Sequence, residues 1–134
     1  MKRVASIIIV EDDPTNARVA ERVLSRMGGH SVHVSEDGDD VLGRCVRAEV
    51  DLVVMDISLA NTRVGGEAVD GVRLTQLIRQ RAPGGGPPVL LLTAHAMRGD
   101  RDRLIDASGA DEYIAKPIVD HQDFVDRVRE LLAA

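Results

Sequence analysis

Several apolar runs of this sequence end in side chains that could do chemistry. Carboxylates follow the first and third runs, a hydroxyl follows the fourth and an ammonium group the fifth. Carboxylates held close together repel each other unless a cation lies between them. Oxygen ligands without His or Cys suit Mg²⁺, which keeps several waters and shares itself with a phosphate group. The residues that predict such a site are Glu11, Asp12, Asp13, Asp56, Thr93 and Lys116.

Asp56 is the central residue of this set. Its carboxylate could be a metal ligand, a nucleophile or both, and a carboxylate that attacks phosphorus forms an acyl phosphate. Thr93 and Lys116 carry the groups expected to neutralise charge on phosphoryl oxygens. Asp13 directly precedes Pro14 and is expected only to cap a helix. Any one of these residues alone would be unremarkable, and the prediction depends on their convergence.

The elements that must bring these residues together alternate regularly. Leu52–Met55 is apolar throughout and too short for a helix, which predicts a strand covered on both faces. A βα rhythm of this kind predicts the α/β class with a doubly wound parallel sheet, in which ligands bind beyond the carboxyl ends of the strands. The other predicted strands are Ser6–Val10, an edge strand around Val32 and Val34, Val89–Thr93 and Glu112–Ala115.

Five helical patterns separate and follow these strands. The first begins at Pro14 and stops at Gly28, and the last runs from about Asp120 to Leu132. The second helix is predicted after Asp37 and the fourth in the charged stretch from Arg98 to Asp106. The third is predicted from the apolar positions Val69, Val72, Leu77 and Ile78.

Composition limits the class of protein and its partners. The 134 residues, 44% hydrophobic and 29% charged, fit one globular domain. A net charge of −5 without a long basic run argues against direct binding to nucleic acid or to an anionic membrane. The single cysteine, Cys45, excludes a disulfide framework and is expected in the core. Without a membrane span or signal peptide in the sequence, we expect a cytoplasmic protein.

In this order the motifs resemble the receiver domain of two-component response regulators. The resemblance covers about Val4 to Leu132, and the segments Thr93–Asp100 and Tyr113–Ile118 resemble stand-alone receivers of the DivK type. It implies a flavodoxin-like sandwich, with five strands in the order 2-1-3-4-5 and five helices. It also implies that residues 1–134 form a single receiver domain, with no output domain. The motifs are Glu11-Asp12, Asp56, Thr93-Ala94 and Lys116-Pro117.

The resemblance implies a role for each matching residue. Asp56 would accept a phosphoryl group from a phosphohistidine on a histidine kinase or phosphotransfer protein. A Mg²⁺ cofactor would be bound by Asp12 directly, Glu11 through water, Asp56, and the backbone carbonyl of Ser58. The residues expected to bind the phosphoryl group are Ala94, Ile57 and Lys116.

The same resemblance implies a conformational switch rather than an enzyme. Thr93 and Tyr113 would move on phosphorylation and alter the face formed by the fourth helix, fifth strand and fifth helix, where a downstream target binds. A cis Lys116–Pro117 bond would aim the lysine at the acyl phosphate. Ser58 and His95 occupy positions that tune the access of water.

The segment Asn61–Val69 departs from the family pattern as an insertion beside the site. It is either a partner-specific lid or a tolerated surface insertion. Two other functions stay open. A small phosphohydrolase would use Asp56 as nucleophile but usually needs an acid where Ser58 stands, and an interaction module would keep the fold without phosphorylation.

Overall fold

The computed structural model describes residues 4–94 and 99–134, which alternate between strands and helices as the sequence predicts. The first helix ends in a π-helical turn, Val23–Met27, and a short 3₁₀ turn covers Pro83–Gly85. The strands are β1 Ser6–Val10, β2 Ser31–Val34, β3 Leu52–Asp56, β4 Arg63–Val64, β5 Glu67–Ala68, β6 Val89–Thr93 and β7 Glu112–Ala115. The helices are α1 Pro14–Arg22, α2 Gly38–Val46, α3 Gly71–Arg81, α4 Asp100–Ser108 and α5 His121–Ala133.

Five of the strands form one parallel sheet in the order β2-β1-β3-β6-β7. Without the separate hairpin β4–β5, this is the predicted order 2-1-3-4-5, so the flavodoxin-like arrangement is confirmed. The register pairs Val10 with Met55 and Asp56 with Leu92. The carboxyl ends of the central strands therefore meet at one edge of the sheet.

The sheet is covered on both faces because alternate side chains enter two apolar cores. Val53 and Met55 of β3 face the core that α2 and α3 cover, whereas Leu52 and Val54 face the core on the side of α1 and α5. All five residues of β3 are buried, as the apolar run predicts. Cys45 also lies in the first core, as expected.

Aspartate side chains cap the N-termini of four helices. The side chains of Asp13, Asp37, Asp70 and Asp120 accept backbone N–H groups of the first helical turn, which satisfies donors that the helix itself cannot. Asp13 is thus the cap that the sequence predicts. Because the Asp70 cap sets the start of α3 at Gly71, Val69 is not helical but lies buried just before it.

The predicted fourth helix follows Gly99. Its described part starts at Asp100, after Gly99, and ends at Ser108. Arg98 and His95 lie outside the described residues. No helix within residues 4–94 and 99–134 is long and apolar enough to span a membrane.

The inserted segment contains a short β-hairpin that the sequence analysis did not predict. β4 and β5 pair antiparallel around Gly65 and Gly66, both of which have positive φ, 58° and 86°. A two-residue turn of this type requires positive φ at both positions and therefore favours Gly-Gly. Strands of two residues give no periodic signal, so only the glycine pair indicated the turn.

Candidate functional site

Three carboxylates converge at the carboxyl edge of the sheet. Oxygens of Glu11 and Asp12, which follow β1, and of Asp56, which ends β3, lie within 4.8 Å of one another. Glu11 and Asp56 are buried, whereas Asp12 is partly exposed. An all-oxygen donor set that opens to solvent on one side fits a hard cation such as Mg²⁺.

Lys116, which follows the edge strand β7, contacts two of these carboxylates. Its Nζ donates to Asp56 Oδ1 at 3.0 Å and to Glu11 Oε2 at 3.2 Å. The Lys116 backbone N–H donates to the carbonyl of Thr93 at 2.7 Å, and the Lys116–Pro117 bond is cis, as the resemblance implies. The lysine side chain thus spans the width of β6 to reach the acidic cluster.

The electrostatics of the cluster favour the entry of a further positive charge. Burial, together with the charge of Asp56, raises the pKa of Glu11 to about 7. Burial alone would lower the pKa of Lys116, but the hydrogen bond to Asp56 and the charges of Asp56 and Glu11 outweigh it and raise that pKa. One ammonium group therefore faces three acidic side chains, and charge compensation in the pocket is incomplete.

The other hydrogen bonds of the cluster come from backbone groups. Asp12 Oδ2 accepts the Ala60 N–H at 3.0 Å, and Asp56 Oδ1 accepts the Ser58 N–H at 3.2 Å. The sequence analysis missed Ala60, because a backbone donor leaves no mark in residue type. The Ser58 N–H thus contacts Asp56, while the expected contribution of the Ser58 carbonyl to a metal stays a prediction.

The expected contact of Ile57 with the phosphoryl group stays a prediction. The Ile57 N–H donates to the Leu92 carbonyl at 3.0 Å and continues the ladder between β3 and β6. Ile57 is not among the residues that line the cleft over Asp56. The cleft has a volume of about 370 Å³ and is lined by Glu11, Asp12, Asp13, Asn16, Asp56, Ser58, Ala94, Lys116 and Pro117.

Thr93 and Tyr113 lie beside the cluster rather than in its cleft. Thr93 is buried at the end of β6 and pairs in register with Ala115. Tyr113 is half-buried on β7 and packs against the core below α3. Its hydroxyl oxygen is buried and has no hydrogen-bond partner among the described residues. Burial and then the charge of Asp100 raise the pKa of this phenol.

The fold and the acidic cluster with its lysine together define a receiver domain. The chain belongs to the response regulator receiver domain family, whose model matches residues 7–129. The family acts in two-component signalling, in which histidine kinases phosphorylate receiver domains that serve as switches. Family members bind Mg²⁺ at the acidic pocket, and the carboxylates of that pocket are present here.

Curated relatives are larger proteins that contain such a domain. The chain is 32% identical over 117 residues to the signal transduction histidine-protein kinase BarA of Escherichia coli K12, which is 87% of this chain and 12% of BarA. It is 31% identical over 120 residues to the sensor protein GacS of Pseudomonas syringae, 90% of this chain and 13% of GacS. The chain thus spans about an eighth of the length of these relatives, and its likeness to stand-alone receivers stays a prediction.

Solved structures agree with this assignment. A putative response regulator from Chloroflexus aurantiacus has a TM-score of 0.82 at 30% identity, covering 98% of this chain and 100% of that one. The receiver domain of the sensor histidine kinase PA1611 of Pseudomonas aeruginosa has a TM-score of 0.80 at 29% identity, again covering 98% and 100%. That structure has a magnesium ion coordinated in its active site cleft.

Proposed function

We propose that Asp56 accepts a phosphoryl group from a phosphohistidine on a histidine kinase or phosphotransfer protein, in a reaction that depends on Mg²⁺. Residues 1–134 would act as one receiver unit. The observation that carries this proposal is the position of Lys116 Nζ, 3.0 Å from Asp56 Oδ1 inside a cluster of carboxylates. A buried nucleophile beside a fixed cation is the arrangement that phosphoryl transfer to a carboxylate needs.

The proposed transfer exchanges one bond to phosphorus for another. An oxygen of the Asp56 carboxylate attacks phosphorus, and an O–P bond forms as the P–N bond to the donor imidazole breaks. The electron pair of that P–N bond returns to the imidazole nitrogen. The product is an acyl phosphate on Asp56, and no proton needs to leave the attacking carboxylate.

The carboxylates of Glu11, Asp12 and Asp56 would hold the cation, with the Ser58 carbonyl as the further ligand implied by family resemblance. When bound, Mg²⁺ would supply positive charge against the phosphoryl oxygens and relieve repulsion between donor and cluster. The oxygen-only donor set and the incomplete charge compensation of the pocket support this proposal.

Protein groups would neutralise the rest of the phosphoryl charge. The Lys116 ammonium and the Ser58 N–H already contact Asp56 Oδ1, an oxygen of the proposed acceptor carboxylate. Ala94 lines the same cleft and could add its N–H, while the Thr93 hydroxyl lies at the end of the neighbouring strand. Preformed donors of this kind stabilise developing charge without reorganising during the reaction.

We further propose that phosphorylation alters the surface formed by α4, β7 and α5 and so controls a downstream protein. An acyl phosphate carries nearly two negative charges on its phosphoryl oxygens in place of the single charge of the Asp56 carboxylate. This larger charge would lie beside Thr93 and Lys116, which are linked by the hydrogen bond from the Lys116 N–H to the Thr93 carbonyl. Tyr113 on β7 belongs to this surface, and its place three residues before Lys116 supports a role in the switch.

Intact mass measurement tests the transfer step. With Mg²⁺ and acetyl phosphate, we expect one phosphoryl adduct on the wild type and none on the Asp56→Asn variant or in excess chelator. Absence of the adduct with both acetyl phosphate and a phosphohistidine donor, under conditions where Mg²⁺ binds, would overturn the proposal. The interaction module that works without phosphorylation would then be the better account.

A further inference from the structure

The inserted segment leaves and rejoins the fold at the acidic cluster. The Gly71 N–H, at the start of α3, donates to the Ile57 carbonyl at 3.0 Å, so residues 58–70 form an excursion with a closed neck. Within it, the Val69 N–H donates to the Thr62 carbonyl at 3.0 Å and closes the hairpin. The path of this excursion is thus fixed at its base directly beside Asp56.

The excursion is also fixed at its far side, on the beginning of α2. Thr62 is 1% exposed, and its Oγ1 donates to the Glu36 carbonyl at 2.9 Å. The Gly65 N–H donates to Asp39 Oδ1 at 3.0 Å. These two hydrogen bonds join the hairpin to residues 26 positions earlier in the chain.

Close packing on Gly38 reinforces these anchors. A Cβ on Gly38 would lie 2.4 Å from the Arg63 carbonyl oxygen and 2.9 Å from Val64 Cγ2. The backbone of β4 therefore rests directly on the first residue of α2, and only glycine permits that approach. A surface insertion that the fold merely tolerates would not need a buried threonine, a hydrogen-bonded turn and a close contact with a glycine.

The segment that leads from Ile57 to the hairpin contacts Asp12. The Ala60 N–H donates to Asp12 Oδ2 at 3.0 Å, and across residues 4–94 and 99–134 this is the one hydrogen bond that the Asp12 carboxylate makes. Glu11 and Asp56 are both held by Lys116, so Asp12 differs from them in depending on the insertion for its orientation.

We infer that the inserted hairpin is a positioning element for the metal site. The hydrogen bonds from Thr62 to Glu36 and from Gly65 to Asp39 hold the hairpin in place, and the hairpin in turn holds the Ala60 N–H against Asp12. This inference rests on the proposed function, because it assumes that Asp12 ligates Mg²⁺. Partners of metal ligands fix the ligand orientation, and their loss commonly weakens metal binding by about 10–100-fold. Thr62 does not touch the acidic cluster and acts only through the chain that it anchors.

A titration of ¹⁵N-labelled protein with MgCl₂, followed by amide chemical shifts, tests the inference. The chain has no tryptophan, so a fluorescence titration would have little signal. For Thr62→Val we expect the apparent Kd for Mg²⁺ to rise about 10-fold. For Thr62→Ser, which keeps the donor to Glu36, we expect a Kd close to wild type.

Two further variants separate positioning from general damage. Asp39→Ala removes the carboxylate that accepts the Gly65 N–H. Because this side chain is exposed, the protein should stay folded, and the Kd for Mg²⁺ should rise as in Thr62→Val. Thr75→Val removes another buried threonine hydroxyl, which bonds the Gly71 carbonyl within α3, and should leave the Kd unchanged. Thermal unfolding of each variant verifies that it is folded during the titration.

Exchange of the Ala60 amide proton in metal-free protein gives a readout independent of Mg²⁺. We expect exchange to be faster in Thr62→Val and Asp39→Ala than in wild type, and unchanged in Thr75→Val. If the wild type binds Mg²⁺ and the Kd of Thr62→Val is unchanged or lower, only the positioning role is overturned. Failure of wild type to bind Mg²⁺ at the cluster overturns both this inference and the proposed function.

Discussion

Gly71 lies so close to Asp56 that a Cβ on the glycine would be 2.1 Å from the Asp56 carbonyl oxygen. The glycine begins α3, and its contact is with backbone on the strand that ends at the proposed nucleophile. No rotamer change relieves such a clash. The packing of α3 against β3 therefore requires glycine at this position.

Gly71→Ala is expected to destabilise the protein by about 1–3 kcal/mol, because backbone on both sides must shift. Gly43→Ala is the matched control. A Cβ there would meet only the flexible guanidinium of Arg47, at 3.0 Å. Because Gly43 lies inside α2, its replacement should stabilise by about 0.5–1 kcal/mol. Urea unfolding measures both, and a destabilisation of equal size in the two variants would contradict this reading.

Arg79 of α3 joins two loops at the opposite end of the sheet. Its guanidinium donates to the carbonyls of Gly85, Pro87 and Gly109 and pairs with Asp111 at 2.8 Å. Arg79→Met leaves these acceptors without their donor, and we expect a loss of about 2–3 kcal/mol in the free energy of unfolding.

Lysine should recover only part of this loss, because it lacks the planar fork that reaches several carbonyls at once. Arg81→Met, at an exposed position of the same helix, is the control and should change the free energy of unfolding by less than about 0.5 kcal/mol. Full rescue by Arg79→Lys would show that charge alone matters here.

The Asp40 carboxylate should make stability depend on pH in the acid range. The hydrogen bond from Arg44 Nε, at 2.9 Å, lowers the pKa of Asp40 below its usual value. The folded state then binds fewer protons at this group than the unfolded state, so the stabilisation is present at neutral pH and disappears as pH falls through the folded pKa.

We expect Asp40→Asn to lose about 0.3–1 kcal/mol at pH 7, the size expected of a partly exposed pair. The difference from wild type should shrink as pH falls below the usual pKa of an aspartate, about 3.9, and should disappear below the lowered pKa of Asp40 in the folded protein. Asp102→Asn, whose side chain is 87% exposed, is the matched control for the substitution itself. A gap between wild type and Asp40→Asn that did not shrink on acidification would count against the ion pair.

Cys45 should be unreactive in the folded protein. Its side chain is buried in the core beside α2, and burial raises the pKa of its thiol to about 11. Because the thiolate is the nucleophile, alkylation needs both access and ionisation. Intact mass after iodoacetamide at pH 8 should show no adduct on the native protein and one adduct in urea. Rapid modification of the native protein would contradict the core assignment.

The sequence predicted the sheet well because its strands are buried and short. Leu52–Met55 could only be a covered strand, and a polar residue at its end had to lie at the sheet edge. The convergence of Glu11, Asp12, Asp56 and Lys116 followed from that topology, and the structure brings these side chains together.

Backbone geometry accounts for what the sequence left out. The bond from the Ile57 N–H to the Leu92 carbonyl, which continues the β3–β6 ladder one residue beyond Asp56, leaves no mark in residue type. The Ala60 donor and the hairpin on Gly38 depend on the path of the insertion, which residue types do not encode. Thr62 could have been noticed only as a polar residue destined for burial, and burial is a tertiary property.

Mapping the modified residue tests the central claim most directly. Protein treated with Mg²⁺ and phosphoramidate, a small donor with a P–N bond, is reduced with borohydride, which converts an acyl phosphate on aspartate to homoserine. Tryptic cleavage after Arg47 and Arg63 gives one peptide that contains both Asp51 and Asp56. Asp51 precedes β3 at the opposite edge of the sheet, where it accepts the Ser6 N–H, so it serves as an internal control.

We predict homoserine at position 56, none at position 51, and neither without Mg²⁺. Homoserine at Asp51 or at another carboxylate, or equal yields with and without Mg²⁺, would contradict the assignment of Asp56 as the phosphoacceptor of this site.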